Sequence, residues 1–298
     1  MQPVISVIIP TTCEQKRRAQ LLRAIDSIKQ QQDVKATILL IVNGQRYEKA
    51  LLEEMRQRAD LNFHYLELGS LPNAIAHGRS LVETPYFCFL DDDDVLLENS
   101  LRVRLEVLEQ DPGLDVAVTN GFNTSTTHQV IRVKNSSRIN DDLLGSLVSG
   151  NWLASCGGLF RTDTIPKSYF ENLIKYYEWT LIAFRCAMER KVRFIDTPTY
   201  SINDTPESLS KSSEFVLSDE KIIRLMLNHD IPANVRLALR KKLSGTLHSM
   251  SDHLRMKGHY LQAWKYHIKS MCYPGGLAYL TYTRRLFHPK PVSGADST

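Results

Sequence analysis

The chain has 298 residues, of which 43% are hydrophobic and 23% charged. That balance is ordinary for a soluble globular protein, with room for one large domain or a domain with an appendage. No apolar run approaches the roughly 20 residues needed to cross a bilayer. The five scattered cysteines form no CxxC pair, which argues against a disulfide framework or a zinc site and for reduced thiols. Net charge is +4, unevenly spread: from Val216 onward 13 Lys and Arg face 5 Asp and Glu. A basic tail after a neutral-to-acidic body is expected to meet something anionic, a membrane surface or an acceptor.

The chain opens on a β-branched run, Val4 to Ile9, which predicts a buried strand with no basic leader before it. Pro10-Thr11-Thr12 is expected to stop that strand. Leu21, Leu22, Ile25 and Ile28 carry helical spacing over 17–31. Ala36 to Val42 predicts a second strand, closed by the turn pair Asn43-Gly44. A helix over 47–59, a third strand over 63–68 and a short helix over 72–82 follow. A fourth strand, 86–90, completes a β-α-β-α-β-α-β alternation, the pattern of a parallel, doubly wound sheet. No GxGxxG follows the first strand, which disfavours a dinucleotide fold.

Asn99 to Glu109 reads as a helix ended by Asp111-Pro112-Gly113, and Val116 to Thr119 as a strand. The polar stretch 121–142 predicts a hairpin or loop, followed by a short helix over 141–148. Gly157-Gly158 leads into another strand, Tyr177 to about Arg190 is helical, and Val192 to Ile195 is a strand that turns at Asp196-Thr197-Pro198. Residues 201–213 read as polar and irregular. The pattern is helical from Phe215 to about Ser270, and 289–298 read as disordered. Histidines 248, 253, 259 and 267 have no metal-ligand spacing and read as ordinary helix residues.

The stretch that carries chemistry is Tyr86-Phe87-Cys88-Phe89-Leu90 followed by four aspartates, 91–94. One Asp would serve to cap the next helix; four adjacent anions at a strand end call for a cation. Mg²⁺ and Mn²⁺ take such oxygen ligands and keep positions for phosphate oxygens. Asp91 and Asp93 are expected to point the same way while the chain stays extended. Ligands of open α/β sheets sit at the carboxyl ends of strands, so a metal-diphosphate site is expected there.

These residues together resemble a family 2 glycosyltransferase of the GT-A fold. The matching stretches are Val7-Ile8-Ile9-Pro10-Thr11, the helix Leu21 to Gln30, Phe89 to Asp94 with Ser100-Leu101, Gly158-Leu159-Phe160-Arg161, and Glu178-Trp179 with Leu181 and Arg185. Ser208-Leu209-Ser210 after Tyr200 is similar to the polar loop that closes the domain. The resemblance covers about residues 4–212. It implies a mostly parallel α/β sheet flanked by helices over 1–212, with a basic helical region over 213–298. The implied reaction is inverting sugar transfer from a nucleoside diphosphate-sugar to a glycan or lipid-linked acceptor, in surface polysaccharide synthesis and with a divalent Mn²⁺ or Mg²⁺.

By the same resemblance Asp93 would ligate the metal, Asp91 would contact the metal or the ribose, and Glu178 would be the base. Pro10, Thr11, Thr12, Asn43, Asp91 and Asp92 would line the nucleotide-sugar site. Departures from the family pattern are Asn43 where a base-reading Asp is usual, Ala76-His77-Gly78 where an Arg or Asn precedes the Gly, and Ser201 and Asn203 where a basic residue is usual, with Lys211 as a substitute. No nucleic-acid partner is expected. The implied location is cytoplasmic, with peripheral contact at the inner face of a membrane through the tail.

Two rivals remain at this stage. Asp91-Asp92-Asp93-Asp94-Val95 also fits the first motif of a haloacid-dehalogenase-like phosphatase, with Asp91 as nucleophile; that motif normally stands on a chain's first strand, and here three strands precede it. The other rival is a non-catalytic nucleotide-sugar-binding protein that keeps the fold.

Overall fold

A computed structural model describes residues 2–32, 34–125, 127–203 and 214–287. The chain divides into two compact units, 1–208 and 209–298. Expectations for Ser208 to Ser210, Lys211 and 289–298 lie outside the described residues.

In the first unit, β1 (Ile5–Thr11), β2 (Ala36–Asn43), β3 (Asn62–Leu66) and β4 (Tyr86–Phe89) alternate with α1 (Arg18–Lys29), α2 (Lys49–Gln57) and α3 (Leu71–Ser80). After them come β5 (Val95–Leu96), α4 (Ser100–Gln110), β6 (Val116–Thr124), β7 (Gln129–Ile131), α5 (Leu143–Ser149), β8 (Gly158–Arg161), α6 (Glu178–Glu189) and β9 (Val192–Asn203). The sheet runs β3-β2-β1-β4-β8-β6-β9-β5, with β7 paired to β6. β1 pairs in parallel with both β2 and β4, so the strand order reverses between β1 and β4. A crevice opens at such a point, outside the carboxyl ends of the strands. Beyond β4 the sheet is mixed: β8 is antiparallel to both its neighbours, and β9 is parallel to β6.

Side-chain alternation sorts the core into two layers. Ile5, Val7 and Ile9 of β1, with Ile38, Leu40 and Val42 of β2, join Leu21, Ile25, Leu51, Leu101 and Leu105 on one face. Phe87 and Phe89 point the other way and stack with Phe160 and Phe170. Each fully buried side chain of this kind contributes about 1.5–3 kcal/mol. On that second face α3 presses Gly78 against Ile8 and Ile41, where a Cβ would overlap Ile8. Helix starts are fixed locally: Glu48 accepts from the Ala50 and Leu51 amides, at 3.0 and 2.7 Å, at the head of α2, and Ser70 caps α3.

Besides β6, which runs on to Thr124 past its expected end at Thr119, three elements differ from expectation. β1 continues through Pro10 to Thr11. Ile8 bonds toward β4, accepting from the Leu90 amide at 3.0 Å, so Pro10, two residues on, faces the same side. The β4 pairing has ended there, and its missing N–H costs no ladder bond. β9 does not stop at Ile195 but runs to Asn203. Its register against β6 jumps from Thr119↔Ile195 to Asn120↔Pro198, so Asp196 and Thr197 form a bulge. Asn120 and Ser136 hold the Asp196 carboxylate there, each donating at 2.6 Å. The third difference is β5, two residues pairing with β9 just beyond the aspartates. The Tyr200 ring of β9 lies where a Cβ on either Gly121 or Gly157 would press on it.

The second unit is helical: α7 (Glu214–Leu227), α8 (Ala233–Met256), α9 (Tyr260–Met271), a 3-10 turn over Gly276–Tyr282 and α10 (Thr283–Phe287). Gly258 and Gly275, with φ of 79° and 84°, make the left-handed turns after α8 and α9. Serines let α8 and α9 approach closely: Ser244 and Ser251 donate to the Ser270 and Ala263 carbonyls, both at 2.7 Å. His248 stacks on Tyr279 at 3.9 Å, and the buried His267 shares a 2.8 Å hydrogen bond with Thr283. These histidines are packing residues. No helix among the described residues is long and apolar enough to cross a membrane.

Candidate active site

β1, β2 and β4 end together, and their last residues build the site. Beyond Leu90 the chain does not stay extended: the Asp94 amide donates to the Asp91 carbonyl at 3.1 Å, closing a turn. The strand-like alternation expected for Asp91 and Asp93 is therefore replaced by two different pairings. Asp92 is buried; the Thr11 hydroxyl donates to it at 2.5 Å and the Arg17 guanidinium through Nε at 3.1 Å and through Nη2. The same Nη2 lies 3.0 Å from Asp93 Oδ2. Arg17, at the junction of a 3-10 turn with α1, thus ties two of the four anions together. Its sequence signal was weak, one cation among several in a basic helix start.

Of the other two carboxylates, Asp91 is half-buried and Asp94 lies inside. Asp94 is buried; its Oδ1 accepts from the Asn203 amide at 3.1 Å, and its Oδ2 lies 3.7 Å from the Cys156 thiol. Asn203 also donates its side-chain amide to the Asp93 carbonyl. Asp91 is held by Ser155. Burial, then the facing Asp93, pushes Asp91 up to about 7. Burial, then Asp91 and Asp93, raises Asp94 well above its ordinary range. Burial also raises Asp93, against the pull of Arg17. Ser155 and Cys156 were not singled out as site residues, because they reach the turn from an element far along the chain; Asn203 stood out only as a departure from the family pattern, and not as a partner of Asp93 and Asp94.

Glu178 opens α6 and is buried. Burial raises its pKa, against backbone N–H groups of Tyr176 and Glu178 itself that favour the anion. Tyr176 sits at φ 72°, a conformation non-glycine residues avoid. Trp179, next in sequence, meets Phe89 edge-on at 5.1 Å, so the start of α6 packs on the end of β4.

The remaining expected site residues take supporting places. Asn43 reaches the crevice, but its amide donates to the Thr11 carbonyl at 3.0 Å and accepts from the Ser70 amide at 3.1 Å. It joins the ends of β1 and β2 to the head of α3. Pro10 is buried, Thr11 is committed to Asp92, and Thr12 bonds Glu14. His77 packs edge-on against His64. Among the described residues no group of three or more His, Cys, Asp or Glu is arranged to hold a metal ion.

A mixed sheet, parallel through β3-β2-β1-β4, with an acidic turn after β4 and a buried carboxylate at the start of α6, has the form of the GT-A class of glycosyltransferase fold. The chain belongs to glycosyl transferase family 2, whose family model matches residues 6–191; the phosphatase alternative falls with that assignment. A curated relative, a teichoic acid poly(glycerol phosphate) polymerase of Staphylococcus epidermidis, is 26% identical over 206 residues. The match covers 64% of this chain and 28% of the relative's length. Among solved structures, S. aureus TarS residues 1–349 in complex with UDP-GlcNAc superimpose with a TM-score of 0.57 at 17% identity, covering 86% of this chain and 75% of that one. The same fragment with UDP gives 0.53 at 16%, covering 86% and 74%.

Proposed function

We propose that the chain moves a sugar from a nucleoside diphosphate-sugar to an acceptor hydroxyl, with inversion, in the synthesis of a surface glycan. The observation that carries this reading is the pairing of two kinds of carboxylate at one sheet end: Asp91 and Asp93, raised by burial and by their neighbours, and Glu178, raised by burial at the start of α6. TarS with UDP-GlcNAc supports a uridine-diphosphate donor as the first to try.

Asp91 and Asp93 suit a hard divalent cation, which takes one or two carboxylates and keeps its other positions for phosphate oxygens and water. Mutual repulsion of the acidic side chains is the cost such a cation would relieve. When bound, Mg²⁺ or Mn²⁺ supplies charge neutralisation for the leaving diphosphate. Arg17 holds Asp92 and Asp93 in one orientation, and Asp94 anchors the end of β9 beside them. Glu178 takes the acceptor hydroxyl proton as its oxygen attacks the anomeric carbon; a pKa above the ordinary carboxylate range suits a base working near neutral pH. The basic second unit, with Leu277, Leu280 and Phe287 exposed, supports peripheral contact with an anionic membrane.

The test is a panel of sugar nucleotides with Mn²⁺ or Mg²⁺, scored by nucleoside diphosphate release. Release from one donor that Asp93→Ala and Glu178→Ala both abolish is the expected result. Metal-dependent donor binding without turnover, even with acceptors supplied, would mean a non-catalytic binder. Absence of donor binding would overturn the reading.

A further inference from the structure

A cavity of about 340 Å³ lies within the second unit, lined by Arg224, Arg240, Lys269, Cys272 and Tyr273. It contains none of the acidic-turn residues, so it is not the donor crevice. We propose that this cup is a second binding site, which takes a phosphate monoester or diester group.

Three cationic residues from three helices line it: Arg224 from α7, Arg240 from α8 and Lys269 from the last turn of α9. Arg224 is pre-set. Its Nε donates to Glu220 at 2.8 Å and its Nη1 to the Tyr273 hydroxyl at 3.4 Å, which among the described residues leaves Nη2 for a ligand. Lys269 lies over the Tyr266 ring, its Nζ 5.5 Å from the centroid. Glu220 is the acid facing this group, and it neutralises one of the three cations. The end of α9 presents carbonyl oxygens that favour positive charge, so an anion binds here only because the remaining cations outweigh them. Like charges held around a concave surface are costly unless an anion sits between them. Guanidinium and ammonium groups with a phenol hydroxyl are the donors that recognise phosphate oxygens. The volume is at the small end of ligand pockets, about 300–1,000 Å³, which suits one phosphate with a short polyol beside it. An anionic polyol-phosphate chain and a phospholipid headgroup both offer that chemistry.

Cys272 gives a direct readout, because it is exposed while the other four cysteines are buried. In the full chain, with no sugar nucleotide present, its alkylation by iodoacetamide would be followed by mass spectrometry. The probes are inorganic phosphate, a synthetic glycerol phosphate oligomer, and phosphatidylglycerol vesicles. A probe that fills the site about nine-tenths of the time slows alkylation roughly tenfold. R240Q/K269Q should weaken that protection roughly tenfold, whereas K257Q/K265Q, which removes equal charge elsewhere on the unit, should leave it within about twofold. Protection by the oligomer identifies a polyol-phosphate ligand, and protection by vesicles alone a lipid headgroup; either supports the site. If no probe protects Cys272, or both double variants lose protection equally, the proposal fails. Because no donor is present, the outcome does not depend on the transferase reading.

Discussion

The two units bury polar groups for different ends. In the first, whole charges go inside: Asp92, Asp94, Arg104 and Glu178 are all buried, the first three held by partners from distant segments and Glu178 by backbone N–H groups beside it. In the second, the buried polar groups are mainly serines, threonine and histidine, and the serines answer to nearby helix carbonyls. The surfaces are reversed. Of the eleven large hydrophobic residues exposed among those described, eight lie in the second unit. The first unit therefore spends stability to hold charges in place, as a catalytic scaffold must. The second is a simpler helical packing whose outside is basic and apolar, as a docking body would be.

The contrast is tested hardest at Glu178. Glu178→Ala should lower the rate of sugar transfer by roughly 10²–10⁴, with the thermal midpoint held or raised once the buried carboxylate is gone. A large drop in the midpoint would mean the carboxylate is structural.

Arg104 comes next. Its Nε and Nη2 donate to Thr119 and Thr199 at 3.1 and 2.6 Å inside the β6–β9 layer. Arg104→Ala should cost about 2–5 kcal/mol in urea unfolding. Leu280→Ser on the second unit should stay within about 0.5 kcal/mol. Equal costs would erase the distinction between the units.

Arg17 and Arg18, adjacent at the head of α1, sharpen the comparison. Arg17→Gln frees two anions at the acidic turn and should cost about 1–3 kcal/mol. Arg18→Gln breaks an ion pair with Glu54 that is largely exposed and should cost about 0–1 kcal/mol.

The acidic turn also sets a pH dependence. In the metal-free protein Asp91, near 7, and the raised Asp93 and Asp94 favour the folded state while protonated. Their contribution is lost as pH rises from the ordinary carboxylate range toward 7. Mn²⁺ should therefore raise the thermal midpoint more at pH 8 than at pH 5. Equal shifts would place the cation elsewhere.

The first four strands and their helices were legible in the sequence because each carries its own periodicity and turn residues. The acidic run stood out in the sequence as a candidate site because four adjacent carboxylates at a strand end repel one another, although two of them also tie strands together. What escaped depended on contacts across the chain. Asp196-Thr197-Pro198 has turn chemistry, yet it forms a bulge because Asn120 and Ser136 capture Asp196. The pairing of Asp92 with Asp93 through Arg17 needed the turn at 91–94, which four like residues in a row did not announce. The bond of Asn203 to Asp94 followed only once β9 was known to run past its proline, and the approach of Cys156 only once β8 was known to lie beside β4.

Tyr200 has a consequence for how this fold can change. Its ring fills the space that side chains at Gly121 and Gly157 would need, on strands and loops far apart in sequence. The three positions therefore form one mutational unit. A larger residue at 121 becomes accessible only after residue 200 has become smaller, and drift at these sites must proceed in that order.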